Sequence, residues 1–473
     1  MSAELARAFG LVAALGLAAL AVAPSRLTRM ASLVVLAAGG AGLAVYLAPE
    51  TNRDLLALPA VVVGAGLVAV ALRRWPWLLP VGALLAAPVR IPVDLGDQEA
   101  NLLLPLYVLV LGAGLVLGWE IVRGDRRARE LGPLAWPFAA FVAWCGASLL
   151  WTDDVEEGAI ALLAFYLPFG LLALALARLE WNRRWLTVLY VQLVAMAAAF
   201  AAIGVYQWLT RDVFWNPKVI VGNAYAPFYR VNSVFWDPSI YGRFLVIAIL
   251  AALVVVLYST EVRASVASTA AIVVTWVGLV FSFSQSSYVA LVVGVLAAAL
   301  LALQWRAVLA LGLAVLFVVA AGFAAPATRK ALERGVDKAT SGRYGLVEEG
   351  IGIARDRPAT GAGLGAFKVA YAERTGLRGR DPAKAASHTT PVTVAAELGV
   401  PGVVLFAWLV VAALMLPVRR ASRSFAGRAS LIFGLILTAI LVHSLFYNAF
   451  FEDPLTWAAL GLGAMAYRWR TSN

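Results

Sequence analysis

Long runs of apolar residues, broken by short polar corners, fill most of this chain. Each run is continuous over about 20 residues and does not alternate, the pattern of a helix that crosses a bilayer rather than of a barrel strand. Spans are expected near 8–23, 31–48, 55–72, 76–90, 101–121, 133–151, 158–178, 185–208, 241–259, 266–284, 287–304, 307–325, 392–416, 429–447 and 455–468. One stretch departs from the pattern. Residues 326–391 are polar and glycine-rich, with twelve Lys or Arg against seven Asp or Glu. Within it Tyr344, Val347, Ile351 and Ala354 recur at helical spacing, so 343–355 reads as an amphipathic helix. The run Arg355-Asp356-Arg357-Pro358 ends that helix, and GAGLGAF (361–367) reads as a tight turn leading into a second short helix. The expected fold is an all-α integral membrane protein of about 14–15 transmembrane helices. It is a single polytopic domain over 1–473, whose loops 209–240 and 326–391 form a partly helical extracytoplasmic cap.

Composition agrees and narrows the choice. With 62% hydrophobic and 14% charged residues and a mean hydropathy of +0.84, a soluble globular domain is excluded. A net charge of +11 would suggest nucleic acid in a soluble protein. Here basic corners such as Arg26/Arg29, Arg73/Arg74, Arg178/Arg183/Arg184 and Arg419–Arg428 account for much of it by the positive-inside rule, so membrane lipids and not nucleic acid are the expected surroundings. These corners alternate with acidic or neutral ones at 95–101, 151–158 and 450–454, which puts both large loops and the SFSQSS corner (282–287) on the outer side. The 326–391 loop is basic on that side, where the rule weakens for long loops, and its charge therefore calls for another reason, an anion. The single cysteine, Cys145, lies in an apolar run, which rules out an intramolecular disulfide and a cysteine metal site.

Few side chains suit chemistry. His388 stands where the basic loop re-enters the membrane. It can cap the helix that follows, or, as a neutral imidazole, take a proton from a sugar hydroxyl near neutral pH; its position favours the base. His443 lies in an apolar run and reads as structural. Arg230 and Arg343 sit in patterned segments with Gly, Pro and aromatic neighbours, whereas Arg243 stands where a span begins and can anchor lipid headgroups or point into the site; a guanidinium grips a pyrophosphate in bidentate fashion and stays charged. Arg374, Arg378 and Arg380 read instead as solvated. Gln285, in SFSQSSY, can bond a sugar or phosphate or only re-satisfy a helix end. Asp237 and Glu397 are carboxylates at outer span edges; Glu397 reads as an orienter of His388, as a second base, or as an acid favoured by a helix dipole. The GAGLG run lacks the strand and Lys of a nucleotide loop. No carboxylate pair stands beside the basic loop, Asp153-Asp154 being distant in sequence, and no His/Asp cluster has metal spacing, so neither metal nor cofactor is expected.

Three segments together resemble the O-antigen ligase and O-antigen polymerase superfamily. RVNSVFWDPSIYGRFL is similar to its R-x-x-G-x-F-x-x-P-N-x-x-A segment, and SFSQSSYVALVVG to its S-R-G-A corner. SGRYGLVEEGIGIARDRPATGAGLGAF with SHTTPVTVAAELGVPGVVLF resembles the loop signature R…D-x-P-x-x-G-x-G-x-x-F…H-N…E-x-G-x-x-G. The resemblance covers roughly 230–410. Gln285 stands where arginine is usual, Ser239 replaces Asn, and Thr389 rather than Asn follows His388. The resemblance implies a GT-C-like glycosyltransferase of the bacterial cytoplasmic membrane with its site facing the periplasm. Such an enzyme takes a glycan from undecaprenyl pyrophosphate and passes it to a glycan or lipid acceptor. By the same likeness Arg230, Arg343 and Arg243 would hold pyrophosphate, and His388 would activate the acceptor. A ligase is the leading expectation, with a polymerase joining lipid-linked repeats as the alternative. A transporter of an anionic envelope solute, a further alternative, would show ionisable residues in mid-span and a half-repeat; the chain has few of the first and no sign of the second, which ranks this reading well below. A non-catalytic receptor with a cationic ectodomain would bind without transfer.

Overall fold

The computed structural model describes residues 2–48, 57–95, 98–125, 127, 129–180, 182–225, 228–302, 312, 343–376, 387–418 and 424–469. Among these residues the chain folds as an all-α bundle with one small hairpin. In chain order its elements are α1 (Ala3–Val22), α2 (Arg26–Leu47), α3 (Ala57–Arg74), α4 (Leu78–Ala86), the antiparallel strands β1 (Ile91–Leu95) and β2 (Gln98–Leu102), α5 (Leu104–Val122) and α6 (Ala135–Ser148). There follow α7 (Val155–Ala177, with a π turn at Leu162–Tyr166), α8 (Arg183–Thr210), α9 (Pro217–Tyr225), α10 (Pro238–Tyr258), α11 (Val262–Ser282) and α12 (Gln285–Ala302). The last five are α13 (Arg343–Asp356), α14 (Phe367–Thr375), α15 (Thr390–Val418), α16 (Phe425–Ser444) and α17 (Pro454–Trp469).

Among the described residues nine helices are long and apolar enough to cross a membrane. Every expected span that lies in the described residues coincides with a helix; the one at 307–325 and the loop segments 326–342 and 377–386 lie outside them. Two expectations change in detail. The apolar run at 76–90 yields only the nine-residue α4, too short to cross, because Pro76 and the turn into β1 bound it. The run at 392–416 is one helix by length but breaks at Gly399. Polar residues set the helix starts where the hydropathy pattern leaves them vague: Ser25, Asp154, Asn182, Asp237 and Ser424 each accept a backbone N–H from the first turn.

Charge sorts the two ends of the bundle. At one end Arg29 and Arg178 both pair with buried Glu130, and Arg178 also reaches Glu120 at 2.7 Å, tying α2, α5 and the end of α7 together. These arginines read as loop charges in the sequence; in the fold they are buried and compensated. At the other end the corner 148–157, the loop 445–453, the loop 211–237 and the pair α13/α14 meet. Between the ends an aromatic stack of Phe141, Tyr166 and Phe451, with ring centroids 4.9 and 5.2 Å apart, anchors the 445–453 loop to α6 and α7.

Candidate active site

The cap is held by the break in α15. Gly399 leaves helical space with φ 64° and ψ −167°, and Pro401 has no N–H to give the carbonyl of Glu397. The cap supplies what the break removes. The N–H of Gly363 donates to the Glu397 carbonyl at 2.8 Å, that of Ala362 to the Ala396 carbonyl at 2.9 Å, and Val400 donates to the Pro358 carbonyl at 2.8 Å. Trp144 Nε1 donates to the carbonyl of Leu398 at 2.9 Å. Irregular backbone is thus satisfied by protein, the condition for it at membrane depth. The segments RPATGAGLG and ELGVPG are two halves of one junction.

Its other wall is the 148–157 corner. Thr152 Oγ1 donates to the Leu364 carbonyl at 2.9 Å, Trp151 Nε1 to the Thr360 carbonyl at 3.1 Å, and Leu364 N–H to Ser148 Oγ at 3.2 Å. Arg357 pairs with Asp153, and Lys368 with Glu157 at 2.6 Å. Sequence distance had set Asp153-Asp154 aside; the fold uses the first to pin the cap and the second to cap α7. Arg374 is not merely solvated either: it clamps α14 to α13 through Glu349, at 2.7 Å, and Asp356.

At the edge of this junction three separate segments bring their charges together. His388 adopts a left-handed backbone, φ 55°, which a non-glycine residue takes at a cost and which tight local bonding must hold. Buried Ser387 supplies it: its Oγ accepts from Thr389 N–H at 3.2 Å and lies 2.6 Å from the Thr393 hydroxyl. The half-buried imidazole lies in the electrostatic field of Arg343 and Asp237. Burial first, and then the Arg343 charge, lower its pKa below the ordinary histidine value, with Asp237 opposing. That direction favours the neutral imidazole.

Arg230 joins the same neighbourhood. Its backbone is clasped by Asn223, which donates to the Arg230 carbonyl at 2.8 Å and accepts its N–H at 2.9 Å, and its Nε donates to the Ser282 carbonyl at 3.2 Å. Burial lowers the guanidinium pKa; Asp237 raises it and Arg343 lowers it further. Asp237 caps α10 by accepting Ser239 N–H at 2.6 Å and is the carboxylate both His388 and Arg230 sense. Arg343 is exposed at the first residue of α13, where the helix dipole disfavours a cation and favours an anion beside it. Among the described residues, neither Arg343 nor the terminal nitrogens of Arg230 have a hydrogen-bond or ion-pair partner. Two guanidiniums that repel each other across a half-buried site leave room for an anion.

The remaining expected site residues lie elsewhere. Arg243 is buried inside α10 and paired with Asp453 at 2.7 Å. Glu397 is buried and accepts the N–H of Phe367 at 3.3 Å, so its carboxylate holds the glycine turn and has no contact with His388. Gln285 is exposed at the start of α12. His443 is fully buried, its Nε2 3.1 Å from the Ser239 carbonyl, the structural role expected of it. Asn223, Ser387 and Tyr288, whose hydroxyl shares the Arg230 field, were not anticipated; the first two act through backbone geometry that no composition signal carries.

Residues 270–407 match the family model described as O-Antigen ligase. Over that segment, under a third of its length, the chain is similar to the O-antigen ligase family. The match runs from within α11 to beyond the Gly399 break in α15 and so includes Arg343, the glycine junction and His388, whereas Arg230, Asp237 and the 148–157 corner lie upstream of it. A comparison with curated proteins gives no match. The match and the nine long apolar helices among the described residues together point to a multi-pass membrane protein similar to O-antigen ligases.

Proposed function

We propose that this O-antigen-ligase-like protein moves a glycan from undecaprenyl pyrophosphate to an acceptor hydroxyl on the periplasmic face of the cytoplasmic membrane. The observation that carries the proposal is the convergence of Arg230, Arg343, Asp237 and His388 from three separate segments at one end of the bundle. In the reaction the acceptor oxygen attacks the anomeric carbon and loses its proton to His388. The bond from that carbon to the pyrophosphate breaks on the opposite face, inverting the centre. The charge that develops on the departing oxygen falls on Arg230 and Arg343, preorganised donors in a partly water-excluded site. A neutral imidazole and adjacent guanidiniums are mutually consistent, because the charge that stabilises the leaving group also keeps the base unprotonated.

The test is reconstitution of the purified chain in nanodiscs with undecaprenyl-pyrophosphate oligosaccharide and either a lipid acceptor or more of the same donor. One glycan appearing on the acceptor establishes a ligase; a ladder of longer lipid-linked glycans establishes the polymerase alternative. His388→Ala should lower the transfer rate by about 10²–10⁴-fold while donor binding persists. Donor bound by both forms and transferred by neither would leave the receptor reading in its place.

A further inference from the structure

A second space opens beneath the cap, next to His388 but apart from the two arginines. It is a cavity of about 330 Å³ enclosed by the π turn of α7, the Leu364–Lys368 turn, the first half of α15 and the loop 448–452. That volume lies within the range of small-molecule sites, about 300–1,000 Å³. Ser387 and Thr390, the residues that flank the Thr389–His388 pair, form part of its wall, and the Thr390 hydroxyl donates to Asn448 Oδ1 at 3.1 Å. Arg230, Asp237 and Arg343 do not line it.

The lining has a definite chemistry. Three carboxylates, Glu157, Glu397 and Glu452, face one ammonium, Lys368. Two are already engaged, Glu157 by Lys368 and Glu397 by the backbone N–H of Phe367. Glu452 is different: among the described residues it has no hydrogen-bond or ion-pair partner, and it is open to solvent where it lines the cavity. The described carboxylates are not grouped closely enough to hold a metal ion. Rings of Phe165 and Phe450 complete the walls. A pocket rich in hydrogen-bond acceptors and excess negative charge repels phosphate. It suits a ligand that donates many hydrogen bonds and shows apolar faces to aromatic rings.

We infer that this cavity is the acceptor subsite and that it takes an unphosphorylated sugar, neutral or amine-bearing, whose donors meet Glu452 and Asn448. The inference rests on the glycan-transfer reading above. It gives the two substrates separate, oppositely charged places on either side of the His388 turn, pyrophosphate on the guanidiniums and the acceptor sugar on the carboxylates. A like-charge barrier then keeps the lipid pyrophosphate from occupying the acceptor position.

The test uses the full chain in nanodiscs and three probes: methyl hexopyranoside, its 2-amino-2-deoxy counterpart, and hexose 6-phosphate, with binding read by saturation-transfer NMR. The two unphosphorylated sugars should bind and the phosphate should not. Glu452→Ala and Asn448→Ala should each weaken binding by about 10-fold, the loss of one hydrogen bond involving a charged or strongly polar group. Glu452→Gln should keep the neutral glycoside and lose the preference for the amine, a rescue that a merely structural role would not produce. In the transfer assay the same Ala variants should raise the acceptor KM and leave donor affinity unchanged. Equal binding of hexose 6-phosphate, no sugar binding by the wild-type chain, or unaltered binding by both Ala variants would overturn the subsite. Sugar binding as expected with no transfer would instead remove the transferase reading and leave the pocket standing, so the two failures are distinguishable.

Discussion

Arg343 and His388, far apart in the chain, sit in each other's electrostatic field, and the arginine's charge helps hold the histidine below its ordinary pKa. The relationship links donor binding to base strength. It predicts that the acid limb of the pH–kcat/KM profile lies below the free-histidine value of 6.5. Arg343→Gln removes a charge that lowers the pKa, so the limb should move to higher pH. Asp237→Asn removes a charge that raises it, so the limb should move lower. A limb that shifts in the same direction in both variants would break the link.

The guanidiniums themselves are testable by charge-conserving exchange. Lysine keeps the charge of Arg343 but loses the fork that grips two oxygens at once. Arg343→Lys should weaken donor binding by about 10-fold, with Arg230→Lys costing at least as much because its Nε is spent on the Ser282 carbonyl and its geometry is fixed. Titration of undecaprenyl pyrophosphate against each variant, followed by intrinsic fluorescence, gives the comparison; variants indistinguishable from wild type would remove pyrophosphate from these residues.

How much of this the sequence carries differs between fold and site. Hydropathy alone located nearly every helix, because a span must be apolar along its whole length and helix length tracks bilayer thickness. It misjudged 76–90, where composition is apolar but Pro76 and a hairpin intervene. For the site, residue type singled out His388, Arg230 and Arg343 as candidates, since an arginine or histidine at an outer membrane edge has few uses, and the fold sets the three in one electrostatic neighbourhood. Type could not separate Arg230 from Arg243, which lie in the same motif. The difference is the partner: Asp453 comes from the far end of the chain and neutralises one of them. Type also leaves Glu397 open between a partner of His388, a second base and a helix-dipole acid; in the fold two helical turns of α15 carry its carboxylate to the glycine junction.

The junction makes its own prediction. Gly363 has φ 96° and lies so close to the 148–157 corner that a Cβ would fall 2.2 Å from Thr152 Cα. Gly363→Ala should therefore cost at least about 1–3 kcal/mol of local stability, lifting the cap from the break in α15 without unfolding the bundle. Hydrogen exchange should rise across 343–376 and at Val400, whose N–H is bonded to Pro358, while α10 and α16 amides stay protected. Transfer should fall with it, because the cap carries Arg343.

The Arg243–Asp453 pair tests whether Arg243 serves the substrate or the bundle. Both side chains are about 95% buried, in α10 and just before α17. Removing one partner leaves an isolated charge inside the protein, at a cost of about 3–5 kcal/mol, whereas replacing both by apolar side chains of similar volume is close to neutral. Arg243→Met and Asp453→Leu should each lower the thermal midpoint in detergent markedly, and the double variant should recover most of the loss and most of the transfer activity. A double variant that regains stability but transfers nothing would show instead that Arg243 acts on the donor, and would return it to the site beside Arg230.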